Sequence, residues 1–372
     1  MNRFRTALIV MSFFSAGNAL QAFPEFAGDG YFSCTSCHVS SSGGDVVTAY
    51  GRSFAEEKLA WSAYEGEAMP LHSAKATPSW LLLGGHSRWI QIHYEDEKSK
   101  EGRFFNMQRS LDFGVQHAGF FTYLTVTQER ENTWDYKKDS LLLERFLVRY
   151  DVLESLSVRY GLLTPKFGLN VVDHNAYVRS KAGFGPGSEE GLTEVTWFSE
   201  YIEVNLSHST SVPSNDRYIP HEKSETNNHT YFNSSVFLAE KHRISLSGLQ
   251  RKTKESMQTG ADLSSVLTLG ETFRYAAEAS QLKTDTNGDV STTSSLYSQL
   301  TLWTVKGVYP GLRYEQYTEK SDLSLGRGDK IALNLTVHPR PHFEFSGSLG
   351  LRRDLEAFSY GHTGFLMFHY WL

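Results

Sequence analysis

Cysteine is nearly absent: the 372 residues hold two, Cys34 and Cys37, three positions apart. That spacing excludes a disulfide framework. Long apolar runs are lacking too. After residue 22 no stretch approaches the ~20 apolar residues of a spanning helix. With 40% hydrophobic and 21% charged residues, the chain is too polar for a helical bundle in lipid. An excess of positive charge is missing. The net charge of -6 becomes -8 beyond residue 22, once Arg3 and Arg5 are set aside. This argues against nucleic acid as a partner. No nucleophile motif, Gly-rich phosphate loop or metalloprotease helix occurs, so the chain is not expected to be an enzyme. Disorder is excluded by an aromatic content of 13%.

Residues 1–22 read as a secretory signal peptide. Arg3 and Arg5 form a basic start, Thr6 to Phe14 a short apolar core, and Leu20-Gln21-Ala22 a cleavage site. A membrane anchor is the competing reading, but the run is too short to span.

Cys34-Thr35-Ser36-Cys37-His38 is a C-x-x-C-H run. It reads as the attachment site of one covalent c-type haem. Two thiols at this spacing each form a thioether to a vinyl group, and the adjacent His38 becomes the proximal iron ligand. A redox dithiol would need a thioredoxin-like context, and a structural zinc site would need four ligands. Neither is present. For the distal iron position His72 is the first candidate and Met69 the alternative, with His86 and His93 further off. Met would raise the reduction potential and His would lower it. The segment 23–78 holding these residues is marginal on its own core. Within it, Phe54 to Tyr64 reads as one helix with Trp61 on its apolar side. The segment is therefore expected to lean on, or enter, the remainder of the chain.

From residue 79 to 372 the pattern has period two. Ile331, Leu333, Leu335 and Val337 alternate with Ala332, Asn334, Thr336 and His338; Ile202, Val204 and Leu206 alternate with Glu203, Asn205 and Ser207. About 16 strands are predicted: 80–94, 102–116, 119–131, 139–151, 155–163, 190–198, 200–209, 228–239, 241–252, 258–269, 272–283, 292–304, 306–319, 328–338, 341–353 and 361–372. Short turns alternate with longer polar loops, including Asp96 to Glu101, Thr284 to Ser291 and Lys320 to Gly328. That is the layout of an all-β transmembrane antiparallel up-and-down barrel. A soluble β-sandwich is the alternative. With 16 strands the barrel has a wide lumen. Its inward set is read as Arg109, Asp112, Arg159, Glu203, Arg313, Glu315, Glu344 and Arg352.

The ending GFLMFHYWL resembles the terminal strand signal of bacterial outer-membrane proteins, with Leu372 in place of the usual final aromatic. Strand number and loop order resemble 16-stranded porins. The run CTSCHVSSSGGDVVTAYGR resembles short N-terminal haem segments fused to outer-membrane barrels. The resemblance implies the outer membrane of a Gram-negative bacterium, with lipid around the barrel. It leaves room for a homo-oligomer such as a trimer, which no residue of the sequence shows. The haem segment would be periplasmic or inside the barrel. The longest loop, Thr164 to Glu190, would by resemblance fold inward, with Lys166, Asp173, His174, Arg179 and Lys181 as pore-constriction residues. An external cap is the other reading.

Three functions are compatible with these features. The first is electron transfer at or across the outer membrane, with a periplasmic c-type cytochrome as partner. The second is a diffusion or solute-selective porin with a structural or regulatory haem. The third is a peroxidase-like haem protein, which needs an open iron site.

Overall fold

A computed structural model describes residues 37–39, 46–73, 78–97, 99–130, 139–171, 173, 175–184, 188–211, 228–239, 241–321, 325–354 and 360–372. Cys34, His174 and the signal segment 1–22 lie outside these.

Sixteen strands close into one antiparallel ring, each paired with its sequence neighbours and the first with the last. They are β1 (Leu81–Glu95), β2 (Lys100–His117), β3 (Phe120–Arg130), β4 (Asp139–Leu153), β5 (Leu156–Leu163), β6 (Glu190–Phe198), β7 (Ile202–Ser211) and β8 (Asn228–Leu238). The second half is β9 (His242–Lys252), β10 (Ser256–Leu269), β11 (Phe273–Thr286), β12 (Asp289–Leu302), β13 (Val308–Ser321), β14 (Leu325–Val337), β15 (Phe343–Asp354) and β16 (Gly361–Trp371). Every predicted strand forms, with ends displaced by at most three residues.

The alternation is inverted relative to a water-soluble protein. In β7 Leu206 is 51% exposed, while Asn205 and Ser207 are fully buried. Leu333, Leu349 and Leu366 are exposed in the same way, and Glu194, Glu203 and Glu315 are buried. Apolar residues face out and polar ones face in, which excludes the sandwich, whose apolar faces would be hidden against each other. Arg109 departs from the expected inward set. It shares a parity with the outward Leu111 and Phe113, and its guanidinium lies 5.3 Å from the Trp89 ring centre.

Three loops expected to be long are not. Thr284 to Ser291 is replaced by a two-residue hairpin, Asn287-Gly288, with φ of 55° and 96°. That is the backbone an Asn-Gly turn prefers, so β11 and β12 simply run on into it. β1 and β2 are joined across 96–99, and β13 and β14 are likewise extended through most of Lys320 to Gly328.

Before the barrel, α1 (Ala49–Phe54) is capped by Thr48, whose Oγ1 accepts from Gly51 N at 3.1 Å. The helix expected over Phe54 to Tyr64 does not form as one piece. A single π turn covers Ala55–Leu59, closed by Ala60 N donating to Ala55 O. Trp61 then leaves to donate its N–H to His338 O at 2.7 Å, with its ring exposed.

Candidate functional site

The residues of the C-x-x-C-H run that the structure describes sit at the barrel end where β1 begins and β16 finishes. His38 pairs with Val47 in an antiparallel bridge, and Thr48 N donates to Cys37 O at 2.7 Å. Cys37 packs with Phe54, Leu59 and Trp303, the last from the turn after β12. Cys37 and His38 are both buried. Gly51 explains how close α1 comes: a Cβ there would stand 2.8 Å from Cys37 O and 2.9 Å from its Cα. Val39 and Val46 belong to one apolar cluster with Leu82, Tyr123, Leu147, Leu163 and Leu192. These five come from β1, β3, β4, β5 and β6. Contact with so much of the wall places this part of the segment within the barrel mouth.

One arginine that the sequence did not single out ties the segment to the barrel seam. Arg52 in α1 donates to Leu83 O at 2.6 Å, Leu372 O at 3.0 Å and Ala68 O at 3.2 Å. It thereby joins the first strand, the last residue and the chain between. Burial pulls its pKa down to about 10, opposed by the charge of Asp112. Beyond it, Arg340 clasps Glu67 with two bonds of 2.6 and 2.9 Å. His342, at φ 72°, holds Glu67 O and Trp371 O within 2.7 Å of its ring nitrogens.

The candidate distal ligands are differently placed. His72, in the 3-10 turn Pro70–Ser73, shares a 2.8 Å hydrogen bond between Nε2 and Tyr370 Oη and lies against the His342 ring. Tyr370 belongs to the outward row of β16. Met69 precedes that turn, its N–H donating to Gly66 O. His86 faces inward from β1, 3.4 Å from Asp112 and 3.1 Å from His369. His93 lies near the opposite end of β1, beside Glu95.

The loop after β5 runs through the interior. Lys166 is paired with Glu203 of β7. Gly168 N donates to Ser247 of β9 at 3.0 Å, and Leu169 N to Glu278 of β11 at 2.8 Å. Tyr177 N reaches Glu315 of β13 at 2.8 Å, and Asp173 meets Arg313 of β13 at 2.8 Å. The contacts fall in turn on β7, β9, β11 and β13, so the loop runs along the inside of the wall over six strands. Arg179, in α2 (Tyr177–Ser180), bonds Asn170 and the carbonyls of Val171 and Phe184. Lys181 lies 3.6 Å from Glu319 and over the Tyr317 ring. Of the expected constriction residues that are described, Lys166, Asp173 and Lys181 meet opposite charges while Arg179 is held by neutral oxygens, and the loop adds Phe167, Leu169, Val171, Val178 and Phe184 to buried apolar clusters.

Two further polar groups had no sequence motif. Glu190, His229, Tyr231 and Arg251 are linked, with Tyr231 Oη donating to Glu190 at 2.5 Å and Arg251 to Tyr231 Oη at 3.0 Å. Asp262 of β10 lies diagonally beside Glu278 of β11, whose register partner is Ser264. Only strand parity, once the inward face is known, brings these residues together. No cluster of three or more His, Cys, Asp or Glu suited to a metal occurs among the described residues.

No known family model matches the chain, and no curated protein matches it. Solved structures do match. OmpT, an outer membrane protein of Vibrio cholerae, aligns at TM-score 0.60 and 8% identity over 80% of this chain and 99% of that one. An anion-selective porin from Comamonas acidovorans aligns at 0.58 and 11% over 78% and 99%. The outer membrane channel DcaP of Acinetobacter baumannii aligns at 0.57 and 11% over 80% and 99%. The chain is thus a closed 16-stranded barrel of the outer-membrane porin fold. At these identities the likeness is one of fold.

Proposed function

We propose that this chain is a sheath in the outer membrane of a Gram-negative bacterium, carrying one covalent haem c for electron transfer, with a periplasmic c-type cytochrome as partner. The observation that carries the reading is the position of Cys37 and His38 in the barrel mouth: both are buried, with Cys37 packed on Phe54, Leu59 and Trp303 and His38 bridged to Val47. The apolar outward rows supply the lipid-facing surface that such a barrel needs. Short turns of outer-membrane barrels face the periplasm, so this mouth opens to the compartment where the partner is found.

The donors fit the group. Cys37 would supply one thioether sulfur and His38 one iron ligand, with Cys34, outside the described residues, as the second thiol of the motif. A haem held there supplies a one-electron centre. The chain's own work is to fix Cys37 through α1, exclude water with Phe54 and Leu59, and keep the segment docked through Arg52. The reading is non-enzymatic.

The inward loop separates this from a diffusion porin. It lines the inner wall from β7 to β13 with satisfied polar groups and buried apolar side chains, which leaves less room for bulk solute flow. The alternative is a solute-selective porin whose haem is structural, and it draws support from the polar inner face that continues around the ring.

The test is a reduced-minus-oxidised spectrum of outer-membrane extract after expression with cytochrome maturation, beside Cys37→Ala and His38→Ala. A haem signal from the parent, altered in both variants, is expected. A parent without haem absorbance would overturn the proposal. Large, stable conductance steps in planar bilayers would move the balance to the porin reading.

A further inference from the structure

On β10 and β11 the register sets Ser264 opposite Glu278 and Asp262 opposite Ser280. Asp262, Ser264 and Glu278 all face inward and are 1%, 1% and 3% exposed. The Asp262 carboxyl group lies beside both Glu278 and Ser264. Yet outside this group of three, neither Asp262 oxygen nor Ser264 Oγ has a hydrogen-bond partner. Buried polar atoms are rarely left so. Two carboxylates held side by side also repel. Arg179 and Arg243 act on Glu278 through space, and Arg243 on Asp262 as well, but neither donates a hydrogen bond to an Asp262 oxygen. The donors are all oxygen, without nitrogen or sulfur, which is the ligand chemistry of hard cations. The inward loop closes the place from the lumen side. Leu169 N bonds Glu278, Gly168 N bonds Ser247, and a Cβ on Gly168 would collide with the Glu278 carboxyl group.

We propose that Asp262, Glu278 and Ser264 hold one hard, oxygen-seeking divalent cation, of which calcium is the probe, between the barrel wall and the inward loop. The ion gathers the orphaned oxygens and fastens the loop through Glu278. This is independent of the haem.

The experiment uses the full chain in detergent, dialysed against calcium or against EGTA. Metal analysis is expected to find about one calcium per chain, and thermal unfolding to shift upward with calcium. Terbium should show luminescence sensitised by Tyr297, which stands opposite Glu278. Asp262→Asn should abolish all three readouts, and Ser264→Ala should weaken the affinity several-fold. Should Asp262→Asn fail to fold, Ser264→Ala carries the comparison. A parent that retains no calcium and melts identically in calcium and EGTA would overturn the proposal, leaving two carboxyl groups that share a proton.

Discussion

Arg52→Ala tests whether the N-terminal segment is built into the barrel or only rests on it. The side chain is buried and satisfies three backbone oxygens, at 2.6, 3.0 and 3.2 Å. A hydrogen bond to a charged group contributes about 1.5–3 kcal/mol net. Simple addition would give about 4.5 kcal/mol or more. Bonds made by one group are not additive, and water entering from the barrel mouth rehydrates some of the freed oxygens. We therefore expect a loss of about 3 kcal/mol, close to a hundredfold shift between docked and undocked segment. Protease cleavage ahead of β1 reads this directly, since slow cleavage of a rapidly reclosing segment tracks the open population. The variant should be cut about a hundred times faster. Arg52→Lys should fall between, because one ammonium cannot span three divergent carbonyls as a planar guanidinium does. Cleavage of Arg52→Ala within twofold of the parent would refute the reasoning.

Lys166→Met should take one charged partner from the buried Glu203 and destabilise the fold by about 1–3 kcal/mol. Adding Glu203→Gln should recover most of it, measured by thermal unfolding of single and double variants. Burial lowers the pKa of His338, with the charge of Glu344 opposing. A lowered histidine pKa means the unfolded chain binds the proton more readily, so stability is complete above about pH 6.5 and is lost as pH falls below it. Thermal midpoints taken across this range should drop on acidification, and more shallowly in His338→Gln. His72→Ala should leave the haem spectrum unchanged, because Tyr370 already engages His72 Nε2; a spectrum converted to five-coordinate iron would show that His72 is the distal ligand instead.

The wall of the barrel is legible in the sequence because period two is a local signal. Each strand states its own two faces, so Leu206 and Ser207 need no knowledge of their neighbours to be placed on opposite sides. The departures obey the same logic. Arg109 and Asp112 differ by an odd number and cannot share a face of a regular strand. The Asn287-Gly288 hairpin is hidden when polar residues are read as loop, since here they are extended strand at a barrel end. The interior of the ring is less legible. Arg52 finds Leu372 across 320 positions, and Lys166 finds Glu203 only because the loop turns inward. Neither pairing leaves a pattern in the chain.

The inward face explains how one structure can be polar in sequence and packed in space. Apolar residues alone do not fill this lumen. Ion pairs such as Arg159 with Glu194, at 2.5 Å and both buried, satisfy the polar wall from within. The loop after β5 meets the wall's carboxylates with its own N–H groups at Leu169 and Tyr177. A wall that is hydrophilic by composition can therefore be dry by geometry, provided each charge has a partner. The same condition sets the weakness of the design. Removing one member of a pair takes a charged partner from a buried group. Variants at Lys166 or Arg313 should thus open the lumen more readily than equal changes among the lipid-facing leucines.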